Sequence, residues 1–126
     1  MKYPMPLLEI SHLNRRFGGV HAVNDVSFSV AQGMIRGLIG PNGAGKTTLF
    51  NLISGTIRSD SGTILFSGNP IHAFAPHTIA SCGIMRTFQN IKLFAKMNVL
   101  ENVMVGRHVR RRAGIVSGIF GLPRAR

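Results

Sequence analysis

Apolar and polar residues mix along Leu7 to Leu13 (LLEISHL) as they do in a half-buried strand. Phe17-Gly18-Gly19 reads as a turn. From Val26 to Val30 (VSFSV) the alternation is clean, which predicts a strand with Val26, Phe28 and Val30 on one face. Ala31-Gln32-Gly33 then turns the chain into Met34 to Ile39 (MIRGLI), a more continuous apolar run of the kind buried in a parallel sheet. A glycine-rich loop follows from Gly40 to Gly45. Lys46 to Ser54 (KTTLFNLIS) predicts a helix with Leu49, Leu52 and Ile53 on one face and Gly55 as its stop.

Further along, Ser61-Gly62 opens a short strand over Thr63 to Phe66, which Ser67-Gly68-Asn69-Pro70 closes. His77 to Cys82 predicts a short helix ended by Gly83, and another short strand is expected near Ile84 to Thr87. Asn98 with Glu101 three residues on has the form of a capping box, so a helix should run from Val99 to about Arg112. Ala113 to Arg126 gives no firm pattern, and there is no internal repeat.

Composition narrows the class. A chain of 126 residues with 44% hydrophobic and 15% charged residues fits one domain with a modest core and does not read as disordered. No apolar run approaches the ~18 residues that a membrane span needs, and Met1 to Ile10 lacks the apolar core of a secretory signal. The single cysteine, Cys82, excludes an internal disulfide, fits a reducing compartment and reads as a small apolar space-filler. A cytoplasmic location is expected.

The formal charge is +11, with 15 basic residues against only Glu9, Asp25, Asp60 and Glu101. Nothing after Glu101 is acidic, whereas Arg107, Arg110, Arg111, Arg112, Arg124 and Arg126 are basic. Such a tail can bind nucleic acid or anionic lipid by counterion release. No nucleic-acid-binding module accompanies it, and no aromatic is interleaved with the arginines, so no nucleic acid is expected as partner. The imbalance is better accounted for by arithmetic, an acidic half of the protein lying outside these residues.

Gly40-Pro41-Asn42-Gly43-Ala44-Gly45-Lys46-Thr47 matches G-x-x-x-x-G-K-[ST]. Glycines let the backbone curl so that successive N–H groups point at an anion. The helix starting near Gly45 offers further free N–H groups and its positive dipole end. Lys46 supplies a mobile charge for β- and γ-phosphates, and the Thr47 hydroxyl a ligand for Mg²⁺. Thr48 completes the phosphate-binding set. The motif stands between an apolar run and an amphipathic helix, the context in which such loops hold phosphates.

The loop's wording, GPNGAGKTTLFNLISG, resembles the ABC-transporter ATP-binding subunits. An upstream aromatic, Phe17 in RRFGGVHAV, stands where that family places the ring that stacks on adenine. Gln89 in RTFQNIKLF stands where it has its Q-loop glutamine, near Mg²⁺ and the attacking water. Taken alone, Phe17 could be a turn-packing aromatic and Gln89 a solvated loop residue. Their order around residues 40–48 gives them the family's roles. Asn-Lys-x-Asp and Asp-x-x-Gly, expected of a GTPase, are missing. RFGGVHAVNDVSF and GIMRTFQNIKLFAKMNVLENVMVGRH are most similar to the branch serving branched-chain amino-acid importers.

The resemblance implies an α/β fold: the N-terminal portion of a P-loop NTPase of ABC type, with an antiparallel β-subdomain and an incomplete part of the parallel core sheet. Residues 1–126 would form one such portion, with ATP and Mg²⁺ as ligands. It implies membrane-spanning permease subunits as partners, met through the Gln89 region, and a second ATP-binding subunit. The location implied is peripheral, on the inner face of the cell membrane. The family's LSGGQ-type signature, its Walker B strand ending in carboxylates and its switch histidine have no counterpart here. His12, His21, His72, His77 and His108 are scattered and read as surface or turn residues. Phosphate binding without hydrolysis by this chain alone is therefore the expectation. A non-catalytic nucleotide-binding module remains an alternative, as does a basic lipid- or nucleic-acid-binding adaptor with a vestigial loop.

Overall fold

The computed structural model describes residues 6–88 and 93–107. It divides into two compact units at Arg86/Thr87. The first unit is built on β1 (Leu8–Phe17), β2 (Val20–Val30), β3 (Ser61–Phe66) and β4 (Asn69–Pro70). They form an antiparallel sheet in the order β2-β1-β3-β4. Against it lie α1 (Lys46–Ile53) and α2 (Pro76–Ser81). One core joins them: Ile10, Leu13, Val23, Leu49, Leu52, Ile64, Ile71 and Ile79 are all buried.

The two long strands carry a feature that alternation alone does not show. Ile10 and Leu13 are both buried, as are Val23 and, in part, Val26, although residues three apart in a regular strand face opposite sides. The extra residue is absorbed by bulges at His12 (φ 50°) and Asp25 (φ 49°), where the β1–β2 register shifts. The bulges face each other and are tied together: His12 Nδ1 lies 2.7 Å from Asp25 Oδ1, and the Asp25 N–H donates to Asn14 Oδ1 at 2.8 Å. On the other side of β1, Gly62 (φ 90°) makes the bulge possible. A Cβ there would stand 2.4 Å from the His12 carbonyl oxygen. With the bulges absorbed, β1 and β2 run well beyond the expected Leu7–Leu13 and Val26–Val30, and the expected turn forms at Gly18-Gly19, with Phe17 ending β1 and pairing with Val20. Val26, Phe28 and Val30 do share a face.

Helix α1 matches its expected span, with Leu49 and Leu52 buried and Ile53 packed on the core. Residues 67–70 do more than close β3, since Asn69 and Pro70 pair back on Phe66 and Leu65. Cys82 is exposed, because it falls at the end of α2 where the chain leaves the core; it does not fill space.

Two expected strands do not form. Residues 34–39 join no ladder among the described residues, and Ile35 and Ile39 are 99% and 95% exposed. An apolar run becomes a strand only where a neighbour pairs with it, and no described segment does so. Residues 84–87 likewise pair with nothing described, although Ile84 packs on the core.

The second unit contains α3 (Val99–Gly106). The capping box is complete: Glu101 N–H donates to Asn98 Oδ1 at 2.9 Å, and Asn98 N–H to Glu101 Oε2 at 2.8 Å. Asn102 pins the preceding segment, accepting from the Phe94 N–H at 3.0 Å and donating to the Met97 carbonyl at 3.1 Å. The helix ends at Gly106, and the rest of its expected span, 108–112, lies outside the described residues. No helix among the described residues is long and apolar enough to cross a membrane.

Candidate functional site

Residues 40–48 lead from the exposed 34–39 segment into α1. The start of that helix is placed by Gly45. Its φ of 80° suits glycine, and a Cβ would stand 1.9 Å from the Ala22 carbonyl oxygen of β2. Two constraints, one conformational and one steric, thus reserve the position for glycine and seat the loop on β2. Gly43 also has positive φ, 83°.

The N-cap residue Gly45 has no side chain to cap the helix, so the first turn's donors are left to something else. Within the loop, the Ala44 N–H reaches the Pro41 carbonyl at 3.3 Å, whereas the N–H groups of Gly43, Gly45, Lys46 and Thr47 have no backbone acceptor among the described residues. Lys46 curls back over the loop, its Nζ donating to the carbonyls of Gly40 at 2.6 Å and Pro41 at 2.5 Å. The ammonium is therefore held against the start of the same loop that carries the unpaired amides. Thr47 is exposed and Thr48 half-buried on the first turn. Uncapped amides, a positive helix end and a lysine ammonium form a donor set that fits a polyphosphate, and the Thr47 hydroxyl is suited to a hard cation such as Mg²⁺.

Phe17 enters the same neighbourhood from the sheet. It pairs with Val20 at the end of the β1–β2 hairpin, and Ala22, which Gly45 touches, is two residues along β2. That separation is about 7 Å at the rise of a strand. Phe17 is 47% exposed, which sets it apart from the core aliphatics. Gln89 lies outside the described residues, which stop at Phe88 and resume at Leu93.

Neighbouring charges were not legible from the sequence. Arg15 Nη1 donates to Asp60 Oδ1 at 2.7 Å and the Arg16 N–H to Asp60 Oδ2 at 2.7 Å. The Arg16 N–H bond, helped by the Arg15 charge, holds the Asp60 carboxyl below the usual carboxylate range. On the far end of α1, Arg86 donates to Asn51 Oδ1 and lies over the Phe50 ring at 5.9 Å. No spacing rule links residues 45 and 35 positions apart, so only the folded chain reveals these pairs.

An antiparallel sheet carrying a glycine-rich loop and its helix is the arrangement of the N-terminal portion of an ABC ATPase. The chain belongs to the ABC transporter family, whose model matches residues 23–123. It is 42% identical, over 94% of its length, to the high-affinity branched-chain amino acid transport ATP-binding protein BraF of Pseudomonas aeruginosa and to LivG, of the same description, from Escherichia coli. A probable branched-chain amino acid transport ATP-binding protein of Archaeoglobus fulgidus is 44% identical over 80% of the chain, which covers 39% of that relative. The chain spans about half the length of the curated relatives it matches, 46% of BraF and LivG, and corresponds to their N-terminal part. Among solved structures, the ADP conformation of an ATP-binding cassette of an ABC transporter superposes with a TM-score of 0.75 at 33% identity, covering 97% of this chain and 49% of that one.

Proposed function

We propose that this chain binds the phosphates of Mg-ATP with residues 40–48, as the N-terminal part of the ATP-binding, energy-coupling subunit of an importer for branched-chain amino acids. The observation that carries this is Lys46 Nζ folded onto the Gly40 and Pro41 carbonyls beside unpaired loop amides. Exchanging two neutral carbonyl acceptors for anionic phosphate oxygens pairs the ammonium with opposite charge and so strengthens its bonds. Gly40, Pro41, Asn42, Gly43, Ala44 and Gly45 shape the cradle, and Lys46, Thr47 and Thr48 supply side-chain donors and ligands. Phe17 stacks on the adenine. Mg²⁺ would neutralise charge on the β- and γ-phosphates, held through Thr47 and Gln89. The printed descriptions of BraF and LivG supply the transported class.

Isothermal titration of the purified chain with Mg-ATP tests the core of this reading. Saturable binding that inorganic tripolyphosphate displaces is expected, because the cradle reads phosphates. Binding that tripolyphosphate leaves untouched would place the nucleotide elsewhere.

The membrane-side partner is proposed to meet the Gln89 region, with a second ATP-binding subunit as the other partner and a peripheral position on the inner face of the membrane. Exposed apolar side chains flank Gln89 in sequence: Phe88 is 65%, Leu93 70% and Phe94 55% exposed. A photocrosslinker at Leu93 or Phe94, in a version carrying the rest of the subunit, should capture a permease subunit. Capture of only a second ATP-binding copy would contradict the assignment.

A further inference from the structure

Phe17 does not stand alone at the end of β1. The Arg15 guanidinium lies over its ring, 4.7 Å from the centroid. That guanidinium is fixed by Asp60, and Asp60 is itself fixed by three bonds. Its Oδ1 accepts from Arg15 Nη1, its Oδ2 from the Arg16 N–H, and its own N–H donates to the Asn14 carbonyl at 2.9 Å. Both carboxylate oxygens are used, and all the partners belong to the last turns of β1 before the hairpin. Arg15 Nε is out of solvent and has no hydrogen-bond partner among the described residues. The cost of leaving that donor unpaired is offset by the side chain's bond to Asp60 and its contact with the ring.

Resting on the nucleotide reading above, we propose that Arg15 and Asp60 form a clamp that positions the Phe17 ring for a purine base. A planar ring has two faces. The guanidinium covers one, and the residue remains 47% exposed, leaving the other for the base. The clamp acts in two ways. It removes rotamer freedom from Phe17 before the nucleotide arrives, so that less ordering is needed on binding. It also draws π-electron density toward the guanidinium, which improves stacking of an electron-rich purine on the opposite face. Arg15 and Asp60 are positioning residues, since they act through Phe17. Asp60 thereby bears on base binding, although it lies 43 residues beyond Phe17 in sequence.

The test compares ATP with inorganic tripolyphosphate, which has no base, by calorimetric titration of the whole chain. Arg15→Leu and the nearly isosteric Asp60→Asn should each weaken ATP binding about threefold to fivefold, the size of one exposed cation–π contact. Tripolyphosphate affinity should stay at the wild-type value. Arg15→Lys, which keeps the cation, should retain most of the ATP affinity. Added to Phe17→Ala, Arg15→Leu should cost nothing more, because the clamp has lost the ring it positions. If Phe17→Ala weakens ATP while Arg15→Leu and Asp60→Asn do not, the clamp is wrong and base stacking stands. If Phe17→Ala itself has no effect, both fall. A loss shared equally by tripolyphosphate would overturn the clamp as well, assigning Arg15 to the phosphates or to the fold. A circular-dichroism melt of Asp60→Asn, which preserves the shape of the carboxylate, keeps loss of fold apart from loss of positioning.

Discussion

Lys46→Ala is expected to weaken Mg-ATP binding by roughly thirtyfold to a hundredfold, or about 2–3 kcal/mol. In the protein the ammonium donates to the Gly40 and Pro41 carbonyls. On binding phosphate it would exchange two neutral carbonyl acceptors for anionic oxygens, and the added attraction between opposite charges, about 2–3 kcal/mol in all, is what the mutant loses. The fold should tolerate the change. Lys46 is the first residue of α1, the helix is anchored by buried Leu49 and Leu52, and alanine is the better helix former. Titration of both proteins with a fluorescent ATP analogue, alongside a thermal melt, separates the two effects. Equal affinities in folded wild type and mutant would discard residues 40–48 as the site.

Much of this site could be read from the sequence because its signals are local. The loop's glycines, Lys46 and Thr47 sit within eight positions, and the helix after them shows its apolar face in Leu49, Leu52 and Ile53. The Asn98–Glu101 box is local too, and both of its bonds are present. Alternation placed β1 and β2 but misjudged their lengths. A bulge at His12 and another at Asp25 each insert one residue, so an apolar pattern that is continuous in space is broken in sequence. His12 and Asp25 at positive φ give no sequence warning, though the paired Asn14 and the facing Gly62 are its trace. At residues 34–39 the error has the opposite origin. Apolar content says that a segment is able to be buried, and burial still requires a partner that no described residue provides. The antiparallel part of the expected architecture is present, whereas a parallel pairing is not seen among the described residues. The Arg15–Asp60 contact spans 45 positions, and only tertiary structure brings such residues together.

Purified alone with saturating Mg-ATP, the 126-residue chain is expected to release no phosphate above the level of its Lys46→Ala control. Phosphoryl transfer depends on a group that orients the attacking water and on charge placed against the γ-phosphate, and an opposing cationic group alone is worth about 10³–10⁵ in rate. The chain has only four carboxylates to orient water, and the structure occupies three of them. Asp25 lies against His12 on the bulged hairpin, Asp60 holds Arg15 and the Arg16 amide, and Glu101 closes the cap of α3. The fourth, Glu9, lies in β1 six residues from Arg15, roughly 20 Å along the strand from the stretch that faces Ala22 and the loop. No LSGGQ-type segment occurs among the 126 residues to close over the γ-phosphate from a second copy. Binding and turnover should therefore separate cleanly: ATP held by the cradle, with its γ-phosphate left intact. Single-turnover measurement with labelled ATP, run beside the binding titration, distinguishes slow chemistry from weak occupancy. Steady release that disappears in Lys46→Ala would show that a residue such as Gln89 orients water without a carboxylate, and would make this chain a catalyst in its own right.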